Sequence, residues 1–143
     1  MKTNSAEQKQ TILIVEDDKA MLDMLKRILS RKGYVTLIAE SGNKADDILS
    51  KIRPDLVILD LKLPDCNGIQ VLEQLKVRDE TIQAIILTGY GSKEAVRSAM
   101  EIGAFDFLTK PFEVHELCDV VQDALVSEPT VTSPLTLKFY YLF

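Results

Sequence analysis

Short apolar runs alternate with amphipathic segments five times along this chain, and this alternation constrains the fold more than any other feature. The apolar runs have the length and the branched residues of buried strands, and they lie at 12–15, 35–39, 56–59, 84–87 and 105–108. Each is followed by a segment that repeats apolar residues at helical spacing. Regular alternation of strands and helices predicts a parallel sheet with helices on both faces. Five strands are too few for an eight-stranded barrel, so the sheet should be open and doubly wound.

Glycine and proline support the boundaries of these elements. Gly33 and Gly103 follow the first and fourth helical patterns, where helices commonly end. Pro54 precedes the third strand, and Pro111 is placed for the first turn of the fifth helix.

The chain has 143 residues, which suits one domain. We expect a disordered or extended N-terminus over 1–9, one domain over 10–126, and a linker with an apolar, aromatic tail over 127–143. The tail either packs on the domain's own surface or makes a contact with a partner or a second copy, and a homodimer is therefore one expectation.

Composition limits the partners and the setting. The net charge is -5 and lysine and arginine are not clustered, so direct nucleic-acid binding is not expected. The apolar runs are far shorter than the roughly 20 residues of a membrane span, and the N-terminus has no signal-peptide core. The two cysteines fit neither a zinc site nor a disulfide framework. A cytoplasmic setting is expected.

Reactive side chains stand where four of the predicted strands end. Glu16 and Asp17 follow the first strand, Asp60 ends the third, Thr88 follows the fourth and Lys110 follows the fifth. Open α/β sheets bind ligands outside the carboxyl ends of their strands. The sequence therefore predicts that carboxylates, a hydroxyl and an ammonium group meet at one edge of the sheet.

The carboxylates of Glu16, Asp17 and Asp60 predict a Mg²⁺ site. Crowded like charges repel unless a cation or a proton intervenes, and oxygen ligands with room for water suit Mg²⁺. Lys110 can pair with a phosphate or with Asp60, and the Thr88 hydroxyl can donate to a phosphoryl oxygen. Singly, each has a plainer explanation as a turn, cap or surface residue; together they match the needs of phosphoryl transfer.

Four motifs resemble the receiver domain of two-component response regulators, the class that includes the chemotaxis regulators, over about residues 10–126. They are Ile-Val-Glu-Asp-Asp at 14–18, Asp-Leu-Lys-Leu-Pro-Asp-Cys-Asn-Gly at 60–68, Leu-Thr-Gly at 87–89 and Gly-Ala-Phe-Asp-Phe-Leu-Thr-Lys-Pro-Phe at 103–112. The combination is specific in its order and spacing. The resemblance implies a flavodoxin-like (βα)5 fold whose parallel strands follow the order 2-1-3-4-5.

The resemblance also implies a role for each residue at the strand ends. Asp60 would accept a phosphoryl group from a histidine kinase or a phosphotransfer protein. Asp17, Asp60 and the backbone carbonyl of Lys62 would bind Mg²⁺, with Glu16 as the other member of the acidic pair. Lys110 would bind the phosphoryl group and would be joined to Pro111 by a cis peptide bond.

A switch is implied as well. Thr88 would move toward the phosphoryl group and Phe107 would rotate inward, although plain core packing is the alternative for Phe107. The fourth helix, fifth strand and fifth helix would form the output face, which would contact a downstream protein target or effector domain. The side chains of Lys62 and Tyr90 would lie at the mouth of the site and slow the access of water to an acyl phosphate.

Two other classes of function fit the sequence less well. A phosphatase with an aspartyl-phosphate intermediate, similar to haloacid dehalogenases, usually needs a second acid two positions after the nucleophile, where this chain has Lys62. A nucleotide binder would need a glycine-rich motif that the first strand–helix junction lacks. We therefore expect a signalling switch that catalyses only its own phosphorylation and dephosphorylation.

Overall fold

A computed structural model describes residues 8–89 and 93–127, which form a five-stranded parallel sheet between two layers of helices. The strands are β1 Thr11–Val15, β2 Val35–Ala39, β3 Leu56–Asp60, β4 Gln83–Thr88 and β5 Asp106–Thr109. The helices are α1 Lys19–Arg31, α2 Gly42–Leu49, α3 Gly68–Arg78, α4 Lys93–Ile102 and α5 Val114–Val126. Neighbouring strands follow the order β2-β1-β3-β4-β5, so the predicted flavodoxin-like topology is confirmed.

The three central strands, β1, β3 and β4, are buried on both faces, which explains why they read as continuous apolar runs. The edge strands β2 and β5 are partly exposed. Successive side chains point to opposite faces. Leu13 and Val57 belong to a core cluster shared with α2, α3 and α4. Ile12 and Ile58 belong to a second cluster shared with α1 and α5. The helices therefore cover both faces and leave the carboxyl ends of the strands as an edge.

The predicted helix ends agree with the structure at two glycines and differ at one proline. Gly33 and Gly103 have φ angles of +97° and +120°, a region in which other residues are strained. Pro111 does not lie in the first turn of α5, so that prediction is wrong. The helix begins at Val114, where Glu113 is the N-cap residue and its amide donates to Glu116 Oε1 at 2.9 Å, as in a capping box. The Lys110–Pro111 peptide bond is cis, as the resemblance implies.

Several sequence predictions fall wholly or mainly outside the described ranges. Most of the N-terminal segment 1–9 and nearly all of the linker and tail 127–143 lie there, as does Tyr90. Their predicted roles stay predictions. Among the helices that the structure describes, none is both long enough and apolar enough to span a membrane.

Candidate functional site

Strand pairing brings the predicted residues together at the carboxyl edge of the sheet. Val15 of β1 pairs with Leu59 of β3. Glu16, which follows β1, therefore lies beside Asp60, the last residue of β3. Glu16 is fully buried, Asp60 is 6% exposed, and Asp17 is exposed. The site therefore has a buried floor and an open side.

The other half of the site comes from β4 and β5. Thr88 pairs with Thr109, and the Lys110 amide donates to the Thr88 carbonyl at 2.7 Å. This bond continues the ladder by one residue and brings Lys110 to the edge. Thr88 is buried, and its hydroxyl donates to the Gly89 carbonyl at a long 3.3 Å. A bond this long leaves the hydroxyl easy to redirect to a stronger acceptor.

Lys110 bridges the two buried carboxylates. Its Nζ donates to Glu16 Oε1 at 2.7 Å and to Asp60 Oδ2 at 2.9 Å. Pairing with Asp60 was one of the two sequence expectations for Lys110, whereas its contact with Glu16 was not predicted. The positions in the sequence could have indicated this contact, because an acid that directly follows β1 lies beside the last residue of the neighbouring strand β3.

The Asp60 carboxylate is held at both oxygens. Oδ1 accepts the Lys62 amide at 2.9 Å, while Oδ2 accepts the Lys110 ammonium group. Glu16 is engaged in the same way, because its Oε2 accepts the Asp18 amide at 3.1 Å. Charge-assisted hydrogen bonds of this kind are short and orient the acceptor. Asp60 is therefore presented in one orientation.

Burial has opposite effects on the two partners of the Glu16–Lys110 pair. It raises the pKa of Glu16 to about 7, and the hydrogen bond from Lys110 only partly opposes the rise. For Lys110, burial would lower the pKa, but the hydrogen bonds and charges of Glu16 and Asp60 outweigh burial and raise it. Lys110 thus stays charged, and Glu16 depends on a neighbouring cation to stay ionised at neutral pH.

The acidic residues could hold a metal ion. Glu16, Asp17 and Asp60 each offer a carboxylate oxygen, and these oxygens lie within 4.8 Å of one another. Carboxylate oxygens on an open edge, with space for water, fit Mg²⁺ better than a softer metal. The donor set of the described residues therefore fits the predicted ion.

Phe107 is not packed in the core. It is 40% exposed on β5, where it pairs with Ile86. This excludes the core-packing alternative for Phe107 in this conformation and leaves the predicted inward rotation as a prediction.

Asp65 was not predicted from the sequence to have a role near the site. This residue lies in the loop after β3, and its carboxylate accepts the amides of Gly42 and Asn43 at the start of α2. The contact joins residues more than 20 positions apart, and nothing local in the sequence marks Asp65 as more than a loop residue. Its partners depend on how α2 packs beside α3.

The fold and the site together define a receiver: the chain belongs to the response regulator receiver domain family, which matches residues 12–122. Sporulation initiation phosphotransferase F of Bacillus subtilis is 40% identical over 116 residues, which cover 81% of this chain and 94% of that protein. Regulatory protein AtoC of Escherichia coli is 34% identical over 114 residues, and this match spans only 25% of AtoC.

Solved structures agree with this assignment. A CheY-like receiver domain protein from Methanospirillum hungatei has a TM-score of 0.80 and 31% identity, covering 82% of this chain and 94% of that one. The receiver domain of NtrX from Brucella abortus has a TM-score of 0.77 and 32% identity, covering 81% and 99%. The predicted family and fold are confirmed. The chain is a receiver domain of two-component response regulators, and this favours the switch over the phosphatase-like alternative.

Proposed function

We propose that Asp60 accepts a phosphoryl group from a phosphohistidine of a kinase or phosphotransfer protein. The observation that carries this proposal is the state of the Asp60 carboxylate, which lies at the carboxyl edge with both oxygens held by Lys62 and Lys110. A nucleophile fixed in one orientation lowers the entropic part of the barrier to transfer. Family membership supplies the class of reaction.

In the transfer, one Asp60 oxygen forms a bond to phosphorus while the bond from phosphorus to the donor's nitrogen breaks. The electron pair of the broken bond stays with the donor imidazole, and no proton is needed from Asp60, because the carboxylate is the nucleophile. Lys110 lies 2.9 Å from the Asp60 carboxylate, so its charge can oppose that of the incoming phosphoryl oxygens.

Glu16, Asp17 and Asp60 would hold Mg²⁺, with the backbone carbonyl of Lys62 as a further ligand. When bound, the ion would neutralise negative charge on the carboxylates and the phosphoryl group. The charge balance of the site supports this proposal, because three acids lie close together and Lys110 pairs with two of them, Glu16 and Asp60.

Phosphorylation would then change the output face through Thr88 and Phe107. Among the described residues, the hydrogen bond that the Thr88 hydroxyl donates is long and easily exchanged, and Phe107 is exposed enough to rotate. Met100 and Val114, on α4 and α5, are also exposed on this face. The partner there would be a downstream protein or effector domain, or a second copy of the chain. The domain would store a signal and catalyse only the gain and loss of its own phosphoryl group.

Labelling with acetyl phosphate tests the acceptor. Wild type with Mg²⁺ should gain one phosphoryl group by intact mass, Asp60→Asn should gain none, and removal of Mg²⁺ should abolish labelling of wild type. Asp47→Asn is the matched control, because Asp47 is an exposed acid on α2, away from the sheet edge. Equal labelling of wild type and Asp60→Asn would show that Asp60 is not the acceptor.

A further inference from the structure

The loop that follows Asp60 orients its carboxylate. In this β3–α3 loop, residues 61–67, the Lys62 amide donates to Asp60 Oδ1, and Lys62 forms a backbone bridge with Asn67. The Gly68 amide closes the loop by donating to the Leu61 carbonyl at 2.8 Å. The position of the Lys62 amide, and with it the orientation of Asp60, therefore depends on where this loop is held.

Asp65 fastens the tip of the loop to α2. Its Oδ1 accepts the Gly42 amide at 2.8 Å, and its Oδ2 accepts the Asn43 amide at 2.9 Å. The next amide, that of Lys44, is satisfied within the helix by the Ser41 hydroxyl. The first amides of a helix have no partners inside it and carry partial positive charge, so they suit a carboxylate. These bonds lower the pKa of Asp65 and keep it ionised.

A second contact makes the junction tight. A Cβ atom placed on Gly42 would lie 2.3 Å from Cys66 Sγ, so the α2 backbone rests directly against the loop. The loop therefore meets α2 through two adjacent residues, one by hydrogen bonds and one by close packing. Among the described residues, the hydrogen bonds between the loop and α2 are those of Asp65, so their loss would leave packing contacts such as that of Cys66.

We infer that Asp65 is a positioning residue for phosphoryl acceptance: its two hydrogen bonds to α2 hold the loop whose Lys62 amide orients Asp60. This inference rests on the proposed function of Asp60. Without the two Asp65 hydrogen bonds, water competes with Asp60 for the Lys62 amide. The Asp60 carboxylate and the proposed Lys62 carbonyl ligand are then less often both positioned to bind Mg²⁺. Both the transfer rate and the affinity for Mg²⁺ then fall.

The test compares Asp65→Ala with Ser41→Ala. Both variants remove acceptors from the first turn of α2, but only the first cuts the link to the loop. In Asp65→Ala, the Mg²⁺ concentration for half-maximal labelling by acetyl phosphate should rise about tenfold, as for other groups that orient metal ligands. Asp65→Asn keeps one acceptor oxygen and should lie between Asp65→Ala and wild type. Ser41→Ala should stay within about twofold of wild type.

Amide NMR spectra of the same samples show whether each variant is folded and whether the Gly42 and Asn43 signals have lost their hydrogen bonds. Unchanged Mg²⁺ dependence in a folded Asp65→Ala that has lost these bonds would overturn the inference, as would an equal change in Ser41→Ala. Either result leaves the proposed function intact, provided that wild type is labelled and Asp60→Asn is not. Equal labelling of those two would defeat the proposed function itself.

Discussion

Replacing Lys110 with methionine should destabilise the protein through its two buried carboxylates. Methionine keeps much of the length of the side chain but has no charge. Glu16 is fully buried and Asp60 is 6% exposed, and the ammonium of Lys110 is the cation that contacts both in the described structure. Lys110→Met thus leaves two adjacent carboxylates without their partner.

Breaking a buried ion pair by removing one partner costs about 3–5 kcal/mol. The lower end applies here, about 3 kcal/mol at pH 8 without Mg²⁺, because the Lys110 side chain is 25% exposed and water can reach the site. The loss should shrink toward pH 5, where Glu16 takes a proton and no longer needs a cation. Mg²⁺ should also reduce it, because the ion supplies the missing positive charge.

Urea unfolding followed by circular dichroism measures these losses. The double variant Lys110→Met with Glu16→Gln is the control. When Glu16 is already neutral, Lys110→Met should lower the free energy of unfolding by at least about 1 kcal/mol less than it does in wild type. A difference of this size is within the range of coupling energies for residues in contact. The slope against urea should not change.

The reasoning would be refuted if Lys110→Met lost less than about 1 kcal/mol at pH 8, or the same amount at pH 5 and pH 8. Either result would mean that Glu16 and Asp60 do not depend on Lys110 for their charge balance. The same conclusion would follow if the losses of unfolding free energy in Lys110→Met and Glu16→Gln simply added up to the loss in the double variant.

Three further predictions follow from burial and close contact. Without Mg²⁺, the pKa of Glu16 is about 7 in the folded protein and 4.5 in the unfolded chain, so protonated Glu16 stabilises the fold below pH 4.5 and this stabilisation is lost as the pH rises through 7. In urea unfolding at a series of pH values, the free energy of unfolding should change by up to about 3 kcal/mol from this group, and Glu16→Gln should remove the change. Gly68→Ala places a Cβ atom 2.5 Å from the Asp60 carbonyl oxygen and should cost about 1–3 kcal/mol and slow acetyl phosphate labelling. Leu72→Ala, in the core, should lower stability by about 2–5 kcal/mol, whereas Val77→Ala, 87% exposed, should change it by less than about 0.5 kcal/mol in the same assay.

Much of the fold could be predicted because its signals are local. Every predicted strand overlaps an observed one. The central strands β1, β3 and β4 are buried on both faces and must therefore be apolar along their length. The start of α5, predicted at Pro111, was wrong because the capping pair Glu113 and Glu116 places it at Val114, while several strand ends differ from the prediction by one residue. Helix propensity alone does not show whether Pro111 or the capping pair sets the first residue of α5.

The amino-acid sequence by itself determined which chemical groups stand at the ends of the strands. Glu16, Asp60 and Lys110 each come directly at or after an apolar run, and parallel strands must bring such ends to one edge. Strand alternation and these positions were enough to predict a phosphorylation site before any contact was known.

Only the tertiary structure decided how those groups are paired. Lys110 is hydrogen-bonded to Glu16, 94 positions away, and to Asp60, 50 positions away. The hydrogen bond from the Gly42 amide to Asp65 depends on the packing of α2 beside the loop. Contacts between residues so far apart in sequence follow from strand order and helix packing, which set distances that no local pattern records. The burial that raises the pKa of Glu16 is likewise a property of the packed sheet edge and not of the residues alone.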